Sequence, residues 1–72
     1  MEGAYHGLYD YAQISDSPSS NDNWGESDEP TSVVPKSSSP GIKDDVIVIP
    51  WNNIAACRRI IEKHRDQLAA VI

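Results

Sequence analysis

The run Val46-Ile47-Val48-Ile49, closed by Asp45 on one side and Pro50 on the other, constrains this chain more than any other feature. β-Branched side chains favour extended backbone, and the lack of polar alternation makes both faces of that extended run apolar. This is the pattern of a strand covered on both sides, as in a parallel sheet with helices on each face. Pro50 stops it, because proline has no amide to give a ladder. Asn52 or Asn53 can then cap a helix, since an Asn side chain accepts a hydrogen bond from the unpaired amides of a first turn. Ile54, Cys57 and Ile61 recur at helical spacing with Ile60 beside them, while Arg58, Arg59, Glu62 and Lys63 take the opposite arc as a solvated basic face. Lys63, His64 and Arg65 fall in the last turn, where cations complement the helix dipole.

After Asp66 and Gln67, Leu68-Ala69-Ala70-Val71-Ile72 reads as a second buried strand. Roughly 18 residues separate the two runs, enough for the crossover that parallel strands require. Residues 44–72 are therefore expected to form a βαβ unit, right-handed like about 98% of such crossovers. The fold class is α/β. Two strands are too few for independent stability, and the second apolar run reaches the last residue. The expectation is a piece of a larger α/β protein, truncated in its second strand, whose first partner is the remainder of its own polypeptide.

Size points the same way. A chain of 72 residues holds at most one small domain. Without staples, such a core rarely supplies more than about 3–5 kcal/mol. Cys57 is the single cysteine, so neither an internal disulfide nor a thiolate metal cluster can form. A lone thiol suits a reducing compartment, and a cytoplasmic location is expected. Cys57 lies on the helix's apolar face and reads as a packed core thiol. His6, His64 and Cys57 are too scattered for a zinc site. Asp44 and Asp45, neighbours at a strand start, point to opposite faces and read as solvated turn residues.

Residues 15–43 form a polar tract rich in Ser, Asp and Pro. Pro18, Pro30, Pro35 and Pro40 forbid a long helix and withhold donors from a central strand. Ordering the backbone costs about 1–2 kcal/mol per residue, more than this composition offsets by burial. The tract reads as a long loop, of the kind that serves as linker or lid. Trp24 reads either as a docking anchor within it or as a solvent-exposed tryptophan. Ser19 to Asp22 and Ser27-Asp28-Glu29 read either as acid-flanked phosphorylation sites or as solvated loop.

Residues 1–14 carry the three tyrosines, Tyr5, Tyr9 and Tyr11, with His6 and two glycines among them. Aromatic rings with polar tips want a surface to lie against. A short helical turn is expected around Leu8 to Ala12. The net charge of −5 gives no basic footprint for nucleic acid. No apolar stretch approaches the roughly 18 residues of a membrane span, and no targeting signal is visible.

The segment Glu2-Gly3-Ala4-Tyr5-His6-Gly7 resembles the aromatic-His-Gly stretch of class III aminotransferases, especially the glutamate semialdehyde aminomutase-like branch. Pro50-Trp51-Asn52, the following helix and Leu68-Ala69-Ala70-Val71-Ile72 look like that family's next βαβ stretch. Asn53 departs from the family's more frequent Asp, and residues 15–40 match in position and polarity only. The resemblance implies a fold-type I enzyme dependent on pyridoxal 5′-phosphate, a homodimer acting on a small amino substrate by amino-group transfer. It makes residues 1–14 a cofactor-facing segment, with Tyr5 stacked on the pyridine ring and His6 beside it. It also makes the loop from Leu8 to about Lys36 a gate. The family's cofactor-binding lysine, its pyridine-pairing aspartate and its phosphate loop have no counterpart here, so the chain alone is expected to be inactive and not to hold the cofactor. Outside the resemblance, Tyr5 reads as a core or interface tyrosine and His6 as a hydrogen-bonded structural histidine. The rival from another class is a small acidic, largely disordered interaction module with a C-terminal docking helix.

Overall fold

Pro50 ends the apolar run, and the next three residues turn the chain into its helix. Asn52 takes a left-handed φ of 53°, a conformation that Asn tolerates better than most residues. Asn53 Oδ1 then accepts the Ala56 amide at 3.1 Å and caps helix α1, Ile54–His64. The computed structural model describes residues 1–16, 25–35 and 38–72. The readings of Trp24 as an anchor and of Ser19 to Asp22 as a modification site fall outside them, as does the lysine at 36.

The buried stripe of α1 runs through Ala56 and Ile60, flanked by half-buried Cys57 and Ile61. Ile54 was expected inside and instead is 75% exposed. At 3.6 residues per turn it lies about 140° round the helix from the Ala56–Ile60 line, so one covering layer cannot bury both. Arg59 is more than a solvated charge. It donates to the Asp28 carbonyl at 2.9 Å and to the Asp28 carboxylate at 3.2 Å, while Lys63 lies 3.8 Å from Glu29. Exposed pairs of this kind contribute about 0.2–1 kcal/mol each.

Asp28 and Glu29 belong to structure that the polar tract was not expected to have. Gly25–Glu26 (β1) and Glu29–Pro30 (β2) form a tight antiparallel ladder, Gly25 opposite Pro30. Gly25 has a φ of 77°, and a Cβ there would come within 2.7 Å of the Thr31 amide nitrogen. Further on, Pro40–Asp45 winds into a 3-10 helix with proline in its first turn, and Ile42 is buried from it. Asp44 and Asp45 are exposed at its end. Average polarity concealed a few well-placed apolar residues: Ile42 and half-buried Val34 pack with Ile14, Val46 and Val48 into the core cluster.

Val46 is extended, and Val48 and Ile49 are buried. Among the described residues the β1–β2 pair is the sole ladder, so neither Val46–Ile49 nor 68–72 has a strand partner. The backbone of the first run is met by other means. The Glu2 amide donates to the Ile49 carbonyl at 3.0 Å, and the Ser32 hydroxyl donates to that of Val46 at 3.0 Å. Val71 and Ile72 stand 55% and 69% exposed. Parallel strands need cover on both faces, and the described residues provide one α-helix. No helix among them is long and apolar enough to cross a membrane.

Candidate functional site

Two left-handed glycines bracket the aromatic segment: Gly3 with φ 70° and Gly7 with φ 103°. Between them Ala4, Tyr5 and His6 project from a backbone pinned at its start. The Gly3 amide donates to the Ser15 carbonyl at 2.7 Å, next to the bond from Glu2 to Ile49. Nothing lies within 4 Å of where a Gly7 Cβ would be, so backbone conformation, not crowding, calls for glycine there.

The pinned segment lays out its side chains on two sides. Tyr5 is 70% exposed, which rules out a core role within these residues. His6 is exposed too, yet it forms part of the wall of a cleft of about 340 Å³. The other walls include Tyr11, Asp45, Val48, His64 and Leu68. Tyr5 is not part of this cleft, so the two residues paired by resemblance are neighbours in sequence that face different surroundings. The expected helical turn appears as a 3-10 helix at Asp10–Gln13, with Ala12 buried beneath it. It brings the Tyr9 and Tyr11 rings to 5.5 Å between centroids, tilted by 41°. Most of the tyrosine cluster thus offers its faces outward.

The charges near this segment are few. Glu2 Oε1 is buried with no hydrogen-bond partner among the described residues. Burial pushes the Glu2 carboxyl above its usual range, because desolvation disfavours the charged form. Cys57 is half-buried, and its thiol donates to the Pro50 carbonyl at 3.2 Å, which is a packing role. No group of three metal-ligating side chains occurs among the described residues. His64 closes α1 as its last residue.

Pyridoxal phosphate needs an anion cradle, a lysine at its aldehyde and a carboxylate at its ring nitrogen. Among the described residues, Tyr5 offers a stacking face and the other three requirements are not met beside it. Lys43 is exposed on the 3-10 helix, Lys63 faces Glu29, and the first-turn amide of Ala56 is already taken by Asn53. These residues do not fit the whole group. They present one side of it at most.

Ser15 escaped the sequence reading. It is 2% exposed with a left-handed φ of 55°, and it joins the aromatic segment to the stretch around Val33. A serine opening a serine-rich tract carries no signal that separates it from its neighbours.

Over its whole length the chain is similar to glutamate-1-semialdehyde 2,1-aminomutases. It is 36% identical over 76 aligned positions to the protein of that name from Thermoplasma volcanium, and 32% over 76 to that from Methanococcus maripaludis. The chain spans 16% and 15% of the lengths of these two relatives. No family model matches the sequence, and no solved structure matches it at a significant level.

Proposed function

We propose that these residues are a stretch of a pyridoxal-phosphate-dependent aminotransferase or aminomutase, a fold-type I enzyme that moves an amino group on an amino acid or amino-aldehyde. The observation that carries this reading is the similarity to two aminomutases from first residue to last, at identities above 30%. An exposed Tyr5 held between left-handed glycines supports it, because a stacking platform must be rigid in its backbone and open on one face. In this reading residues 1–14 line the cofactor side, 15–43 cover the site as a gate, and 44–72 belong to the large domain's sheet layer. The cofactor's cradle, lysine and ring-nitrogen partner come from other parts of a homodimeric enzyme. Residues 1–72 alone are inactive in it.

The test uses the full-length protein. Pyridoxal phosphate is titrated by its visible absorbance, and amino transfer is assayed with glutamate 1-semialdehyde and with common amino donors. Tyr5→Ala is expected to weaken cofactor binding about 2- to 10-fold, the equivalent of one lost stacking contact. Failure of the unmodified protein to bind the cofactor would end this reading.

A second reading is favoured by a different surface. Trp51 and Ile54 are 74% and 75% exposed beside half-buried Cys57 and Ile61. That apolar flank suits a helix docked on a partner, and a stable complex formed by a protein that binds no cofactor would favour it.

A further inference from the structure

We infer that Ser15 is the positioning residue of the aromatic segment: a buried clamp that fixes where Gly3 to His6 stand. This rests on the reading of that segment as the cofactor side only for its significance, not for its geometry. Ser15 makes four hydrogen bonds to two separate stretches of chain, one at Gly3 and one at Thr31 to Val33. Its carbonyl accepts the Gly3 amide at 2.7 Å, and its own amide donates to the Val33 carbonyl at 2.9 Å. Its hydroxyl donates to the Thr31 carbonyl at 2.9 Å and accepts the Val33 amide at 2.8 Å. Every partner is a backbone group, so the clamp ties main chain to main chain across 16 to 18 residues of sequence.

The conformation of Ser15 makes this more than ordinary satisfaction of polar groups. A non-glycine residue at a φ of 55° is held against its preference, and such a conformation persists where the surroundings over-determine it. Here the two hydroxyl bonds do so. They fix the peptide whose carbonyl faces Gly3, two residues before Tyr5. The Glu2 amide, bonded to Ile49, pins the same segment from the other side. Loss of the hydroxyl leaves Ser15 held by its two main-chain bonds alone, and the Thr31 carbonyl and the Val33 amide each lose a partner.

Glycine adopts left-handed φ freely, so Ser15→Gly removes the hydroxyl and keeps the turn. Ser15→Cys keeps a weaker donor and acceptor. Both are compared with the unmodified full chain by residue-resolved amide exchange and by the ring resonances of Tyr5 and His6. In Ser15→Gly, exchange at Gly3 and Val33 is expected to rise about 5- to 100-fold, with the two ring signals displaced. Ser15→Cys is expected to fall between, and the Cys57 amide inside α1 to change little. The inference is overturned by a Gly3 amide that is unprotected in the unmodified protein. It is equally overturned by unchanged Gly3 exchange in Ser15→Gly, or by Cys57 exchange rising as far as Gly3, which would mean general loss of structure. The failure of the cofactor titration leaves these measurements intact, so the clamp and the cofactor reading fall separately.

Discussion

Helix α1 and the junction at Ser15 solve the same problem, satisfying backbone groups, with contacts of opposite range. In α1 the amides from Cys57 onward find carbonyls one turn back, and the Asn53 side chain takes the Ala56 amide from three residues away. At the junction, Ser15 reaches residues 3, 31 and 33. The core cluster behind it draws Ile14, Val34, Ile42 and Val48 from four separate stretches. Local contacts can form one at a time. Distant ones require loops to close first, and their stability rests on every stretch arriving. The junction should therefore be the more cooperative region, and the helix the more independent.

The sharpest way to break that contrast is Ile42→Ala. Removing a buried isoleucine side chain costs about 2–5 kcal/mol, comparable with everything a core of this size supplies. Amide protection at Gly3, Ser15 and Val33 is expected to collapse, with a smaller loss at Cys57. Equal losses at all four, followed by amide exchange, would show one cooperative unit and erase the distinction.

The contrast also explains what could be read in advance. The start of α1, its Asn cap and its basic last turn were legible because propensity and capping act over three or four residues. The direction of its buried face was not, because that depends on which layer covers it, and Ile54 and Ile60 are equally apolar as letters. The hairpin at Gly25–Pro30 needs a single glycine at positive φ and left little trace in composition. Ile42 was averaged away inside a polar tract. On the candidate site, Tyr5 and His6 stood out by type, and their divergent surroundings did not, since adjacent residues say nothing of the walls they meet. Ser15 was invisible because its partners are backbone groups, which carry no sequence identity.

Asn53→Ala sharpens the helical side of the comparison with an intermediate effect. Loss of the cap is expected to cost about 1 kcal/mol, appearing as reduced helix signal in circular dichroism and faster exchange at Ala56. Protection at Val33 is expected to hold. Should Val33 lose as much as Ala56, the helix would be part of the junction's cooperative unit, not a neighbour to it.

The smallest effect concerns the half-buried Glu2, whose amide bonds Ile49 beside the Gly3–Ser15 bond. Among the described residues Glu2 Oε1 has no hydrogen-bond partner, and desolvation raises the carboxyl's pKa above its ordinary value in the folded state. The unfolded chain releases that proton at about pH 4.3, so between there and the raised folded value the native state binds more protons than the unfolded one. The associated stability is present below the unfolded pKa and is lost as pH rises through the folded one. Glu2→Gln has no proton to lose. Its denaturation midpoint is expected to exceed the parent's slightly at pH 7 and to match it near pH 4, with a flatter profile between. A variant that instead loses stability at pH 7 would mean that the ionised carboxylate is serving a partner, and that the Gly3 end of the Ser15 junction is held by charge as well as by backbone bonds.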